Sequence, residues 1–96
     1  MPGQTRIGDC CTGHDACGPR PLASGSNNVF VNGKPAGRCY QDRYALHSCD
    51  DHSPHSGFVV GGSSNVFING KPAARIGDGV SCGSSVMQGS PNVIVN

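Results

Sequence analysis

Hydrophobic residues in this chain come in short bursts separated by glycine, serine and asparagine. Val29-Phe30-Val31, Val66-Phe67-Ile68 and Val93-Ile94-Val95 are the clearest of them. Their β-branched and aromatic side chains suit extended, half-buried strands. Two of these bursts run straight into Asn-Gly, at 32–33 and 69–70, followed by Lys-Pro-Ala. Asn-Gly favours a type I′ turn, in which both central residues take positive φ, so each predicts a hairpin with Lys-Pro-Ala starting the return strand. Proline supplies no ladder N–H and must begin that strand or face an edge. No window carries helical periodicity. The pattern predicts an all-β protein.

The hairpin signal belongs to a longer internal repeat. The stretch from Gly25-Ser26-Asn27-Asn28 to Pro35-Ala36-Gly37-Arg38 recurs from Gly62-Ser63-Ser64-Asn65 to Pro72-Ala73-Ala74-Arg75. A shortened copy, Gly89-Ser90-Pro91-Asn92-Val93-Ile94-Val95-Asn96, ends the chain. Arg6-Ile7-Gly8-Asp9 likewise matches Arg75-Ile76-Gly77-Asp78. Counted from each arginine, the units run over 6–32, 38–69 and 75–96 within a single domain covering 1–96. The middle unit carries an insertion across roughly 39–56. None of the three can bury a face alone, but together they can around a common axis. The expected architecture is a small pseudo-threefold cone of short β-hairpins, its loops converging at one end and its sheet edges gathering at the other.

Composition makes such a body short of core. The chain has 96 residues, 35% hydrophobic, with two Tyr, three Phe, no Trp, 15 Gly and 7 Pro. A chain of this size usually needs a disulfide, a metal or a partner to hold it. The formal charge is +1 and the Lys and Arg residues are scattered, so nucleic acid is not an expected partner. Apolar runs are too short to span a membrane. The N-terminus lacks a charged region followed by an apolar stretch, so no secretory signal is expected and the six cysteines should begin reduced.

The metal-capable residues stand between the repeated strands. His14 follows Asp9 by five positions, His47 follows Asp42 by five, and Cys82 follows Asp78 by four. Three equivalent loops meeting at one vertex would bring these groups together. Imidazole and thiolate ligands in a closed tetrahedral set describe a structural zinc site, and iron suits the same donors. Four ligands require two from the middle unit. His47 and His55 are the first choice, because Ser56-Gly57 reads as a turn back into a strand, with His52 as the substitute for His55. Cys10, Cys11 and Cys39 are expected to be buried as small apolar groups. Cys17 and Cys49 sit two or three residues after proposed ligands and are expected to pair or pack near the vertex.

Pro72-Ala73-Ala74-Arg75, its variant Pro35-Ala36-Gly37-Arg38, Arg-Ile-Gly-Asp, Gly-Ser-x-x-Val-Phe-x-Asn-Gly and Ser81-Cys82-Gly83 together resemble the PAAR-repeat family across essentially the whole chain. The resemblance implies a sharp cone whose base caps a trimeric β-helical spike, either the valine–glycine-repeat spike of type VI secretion or the central spike of a contractile phage tail. It implies a metal near the apex held by His14, His47, His55 and Cys82. It also implies a structural, non-enzymatic role: sharpening the spike for transient passage through a target membrane and carrying effectors. Such a protein is assembled in the cytoplasm and leaves the cell on the spike, or sits in the virion tail. Gly37, and Cys39-Tyr40-Gln41-Asp42 in place of Ile-Gly-Asp, depart from the family pattern. Two other functions fit the composition. A zinc hydrolase would need an open coordination site and a base such as Asp15, Asp50 or Asp51, but no His-Glu-x-x-His or Gly-x-Ser-x-Gly motif is present. A secreted disulfide-stapled binding module would need its thiols paired.

Overall fold

The computed structural model describes residues 2–13, 18–45 and 57–96. Among them there is no helix, and the chain is built from two-residue strands and isolated bridges. β1 (Phe30–Val31) pairs antiparallel with β2 (Lys34–Pro35). β4 (Phe67–Ile68) pairs with β5 (Lys71–Pro72) in the same register. β3 (Val59–Val60) pairs with β6 (Gly79–Val80). The Asn-Gly pairs make the predicted turns: Asn32 and Gly33 have φ of 53° and 78°, Asn69 and Gly70 of 53° and 81°.

The third hairpin has no turn of its own, because the two ends of the described chain form it. Gly3 bridges Ile94, Val95 N donates to Pro2 O at 3.0 Å, and Gln4 N donates to Val93 O at 3.0 Å. Ala36 N to Val29 O and Ala73 N to Val66 O, at 3.0 and 2.9 Å, are the same bond in the other two hairpins. Pro2–Thr5 therefore stand where 34–37 and 71–74 stand. The three return segments then meet at the centre. Thr5 N donates to Ala74 O at 3.0 Å, Ala74 N to Gly37 O at 3.2 Å, and Gly37 N to Thr5 O at 2.9 Å. Backbone donation runs once around a closed ring, so one chain builds a body of approximate threefold symmetry, 38 × 24 × 20 Å in extent.

Each repeated arginine opens a turn closed by an aspartate. Asp9, Asp42 and Asp78 accept from the backbone N–H of Arg6, Arg38 and Arg75 at 2.9, 2.7 and 2.7 Å. They also pair with the same arginines' guanidinium groups at 2.8, 2.9 and 2.8 Å. The irregular Cys39-Tyr40-Gln41 keeps this arrangement with one extra residue. Tyr40, at φ 64°, does the work of Gly8 and Gly77, at 92° and 96°. A second repeated device enters each hairpin. The buried hydroxyls of Ser26, Ser63 and Ser90 accept from the N–H groups two and three positions on.

The buried side chains form two small cores. One, made by hairpin residues, holds Val31, Ala36, Ile68, Ala73 and Val95. The other holds Cys11, Leu22, Cys39, Tyr44, Val59, Ala74, Val80 and Val86, with Cys82 packed against it. Gly37, which replaces the second alanine of the repeat, is explained at the ring between them. A Cβ there would stand 2.8 Å from both Thr5 Cγ2 and Leu22 Cδ2. Thr5 occupies the space that a second alanine would take, so the ring holds one threonine, one alanine and one glycine. Gly37→Ala should therefore destabilise the fold by overpacking, by about 1–3 kcal/mol. Urea unfolding with an unchanged midpoint would contradict this.

Candidate metal centre and docking base

Beyond the Arg–Asp turns, three strand pairs stand in equivalent positions of the repeat. Cys11 N donates to Arg20 O at 2.9 Å, Tyr44 N to Gly57 O at 2.8 Å, and Val80 N to Ser84 O at 2.9 Å. Each pair is joined by a loop, and the loops differ greatly in length. The shortest contains Cys82. The other two contain the sequence positions of His14, and of His47, His52 and His55. All four histidines lie outside the described residues, as do Cys17, Cys49, Asp15, Asp50 and Asp51.

The flanks of those loops are described, and they meet at the Cys82 hairpin. Gly13 N donates to Ser84 Oγ at 2.9 Å, and Thr12 Oγ1 lies 3.1 Å from the same hydroxyl. Gly57 is packed so closely that a Cβ would stand 2.9 Å from Cys82 Sγ. Gly13 is the residue before His14, and Gly57 is two after His55. The described residues themselves contain no cluster of three or more metal-capable side chains. Among the described residues, the half-buried Cys82 thiol is a soft donor of the kind that suits zinc or iron.

The other cysteines divide by strand alternation. Cys11 faces the core and is buried, whereas its neighbour Cys10 points to the opposite face and is only half-buried, contrary to the expectation for it. Cys39 is fully buried. Loss of solvation, reinforced by Asp78, pushes its thiol up to about 12, so it stays protonated and inert. Cys10, Cys11, Cys39 and Cys82 are all free thiols. Tyr44, from the middle unit, fills the apical core. Burial is the main cause raising its hydroxyl above the ordinary tyrosine range, followed by Cys11.

The hairpin end has a different chemistry. Phe30, Phe67 and Ile94 occupy equivalent positions and are all exposed, at 57%, 59% and 42%. Val31, Ile68 and Val95, one residue on, are buried beneath them. The sequence pattern marked these runs as strands but did not reveal that the middle residue of each faces outward. The three Arg–Asp pairs were also legible only as turns. The recurrence of Arg with Asp three positions on, at 6–9 and 75–78, was the available signal. Each aspartate, by hydrogen bonding, raises its arginine above the ordinary range.

Comparison with known proteins gives two findings. A family described as the PAAR motif matches residues 21–88. The NAD(+)–protein-arginine ADP-ribosyltransferase Tre1 of Serratia proteamaculans (strain 568) is 49% identical over 74 residues, 77% of this chain. The chain spans 16% of the length of that relative. No helix among the described residues is long and apolar enough to cross a membrane. With more than half of its length matched, the chain belongs to the PAAR-motif family.

Proposed function

We propose that this chain is the tip of a contractile injection machine, seated with its hairpin end on a trimeric β-helical spike and pointing its loop end at the target. The observation that carries the reading is the backbone ring of Thr5, Gly37 and Ala74. One polypeptide closes a pseudo-threefold β structure, so a single copy can match a threefold partner without changing its stoichiometry. The role is structural, and passage through a target membrane is transient. The free thiols of Cys10, Cys11, Cys39 and Cys82 favour this reading over a disulfide-stapled module. At the loop end, His14, His47, His55 and Cys82 hold a zinc ion, or iron, as a closed structural site. The metal supplies cross-linking between loops that the small apical core cannot supply by packing.

The Tre1 relative, whose name describes an arginine-modifying transferase, shares only this segment. The shared segment fits a module that travels with effectors, whether they are joined to it or bound beside it. Delivery outside the cell on the spike, or presence in a virion tail, follows from the same role. Mixing the protein with the β-helical needle of a valine–glycine-repeat spike trimer tests the reading. Native mass spectrometry should show one tip per trimer. Three tips per trimer, or no complex, would refute it.

A further inference from the structure

We infer that Ser63, Asn65 and Arg75 form a carboxamide-binding site, and that the carboxamide it takes is the side chain of Asn96. Filling the site fastens the third hairpin, which the two ends of the described chain share. The inference does not depend on the spike-tip reading.

Two filled sites of this kind stand in the same molecule. In the first hairpin, Ser26 Oγ and Arg38 Nη1 donate to Asn69 Oδ1 at 2.7 and 3.3 Å, and Asn69 Nδ2 donates to Asn28 Oδ1 at 2.9 Å. In the third, Ser90 Oγ and the Nη1 of the equivalent Arg6 donate to Asn32 Oδ1 at 2.6 and 2.9 Å, and Asn32 Nδ2 donates to Asn92 Oδ1 at 3.0 Å. A carboxamide is thus recognised at both ends, its oxygen by a hydroxyl and a guanidinium, its NH2 by a fixed acceptor. A carboxylate would satisfy the two donors but offers no N–H to the third group. The asparagine always comes from the turn position of the next hairpin. The first hairpin holds the asparagine of the second, and the third holds that of the first. The second should therefore hold that of the third, which the repeat places at Asn96.

The groups of the second hairpin are already set. The buried Ser63 hydroxyl donates to Asn65 Oδ1 at 3.0 Å, as Ser26 does to Asn28 at 3.1 Å and Ser90 to Asn92 at 3.0 Å. Arg75 gives Nε and Nη2 to Asp78, which leaves Nη1 for the carboxamide oxygen. Its side chain is 23% exposed, against 11% for Arg6 and 15% for Arg38, which both bond an asparagine. Asn96 also has the reach. The bonds of Val93 and Val95 to Gln4 and Pro2 set their strand as Val29 and Val31 are set, so Asn96 leaves it where Asn32 leaves the first. The difference lies in the backbone. Asn32 and Asn69 are held at φ 53° by their turns, whereas Asn96 does not share that conformation and stays exposed. Asparagine is one of the few residues that enter the left-handed region readily. A change at that one residue carries its side chain to Ser63 and Arg75, where their charge-assisted and neutral hydrogen bonds can hold it. The carboxamide then does for the third hairpin what a covalent turn does for the other two.

Nuclear magnetic resonance on the full chain tests this. The side-chain amide of Asn96 should show a nuclear Overhauser contact to Asn65, as those of Asn69 and Asn32 should to Asn28 and Asn92. Asn96→Gly removes the carboxamide and leaves the backbone free to turn. It should speed hydrogen exchange at the Gln4 and Val95 backbone amides, which hold the third hairpin, by about tenfold. Asn65→Ala should have the same effect, Asn65→Asp should not because it keeps the acceptor, and Asn96→Gly/Asn65→Ala should exchange no faster than either single variant. Absence of the Asn96–Asn65 contact, or unchanged exchange in Asn96→Gly, would overturn the inference. So would faster exchange in Asn96→Gly that Asn65→Ala does not reproduce, since Asn96 would then act at another place. Should a variant fail to fold, the contact in the wild-type protein decides alone.

Discussion

Removing the metal should unfold the protein. Elemental analysis of the purified, untagged chain is expected to find about one equivalent of zinc, and Cys82→Ser should reduce it. Structural zinc contributes on the order of 10 kcal/mol in small domains, because the site is not preformed in the unfolded chain. That is comparable to the whole stability of an ordinary domain, about 5–15 kcal/mol. Here the apical core has few large side chains, Tyr44 and Leu22 being the largest, and is otherwise valine, alanine and cysteine. A metal held by Cys82 and the proposed histidines would supply the cross-linking that this core lacks. Circular dichroism during dialysis against a strong chelator should show loss of the β signal at room temperature. Metal-free protein with an unchanged melting temperature would remove the apical staple from the account. The hairpin end would still stand on its own hydrogen bonds.

The second large effect is expected at Asp42. Its carboxylate is 1% exposed and accepts from Arg38 N at 2.7 Å, Arg38 Nε at 2.9 Å, Arg38 Nη2 at 2.9 Å and Ser24 Oγ at 3.1 Å. Asp42→Ala takes the counter-charge from a mostly buried guanidinium, which keeps only the neutral acceptors Gly25 O and Asn69 Oδ1, and leaves the Arg38 N–H without its acceptor. Breaking a buried pair from one side costs about 3–5 kcal/mol. For a domain of this size that is a fall in melting temperature of about 15 °C or more. Asp78→Ala should cost less, because Arg75 is more exposed than Arg38, at 23% against 15%, and water can solvate the orphaned cation. Equal losses at the two positions would mean that the turns, rather than the buried charge, set the cost.

Much of the fold was legible in the chain itself. Asn-Gly at 32–33 and 69–70 specifies type I′ turns by local φ preference alone, and both turns form as expected. The β-branched and aromatic residues of Val-Phe-Val and Val-Phe-Ile report strands, and the repeat reports a common axis. The Arg-Ile-Gly-Asp recurrence marks turns that the structure closes with ion pairs. In the irregular turn, Asp42 could be matched to Asp9 and Asp78 by eye, but positive φ at Tyr40 could not be foreseen. Aromatic residues seldom adopt that conformation without tertiary support, and here the Tyr40 hydroxyl accepts from Gly61 N at 3.1 Å.

The hairpins, the repeated units and the residue types available to the loops could thus be read from the chain, because these depend on positions a few residues apart. How the repetition closes depends on long-range pairing. Pro2–Gln4 must find Val93–Val95 across nearly the whole chain, and Thr5 must take space that Gly37 gives up. Nothing local in either segment encodes that pairing, since each is satisfied only by a strand brought from the other end. Tertiary structure also decided which thiol of the Cys10-Cys11 pair faces the core, and that Phe30, Phe67 and Ile94 look outward while Val31, Ile68 and Val95 are buried. A pattern of apolar neighbours does not say which side of a strand is inside; the ring does, by giving the body its axis.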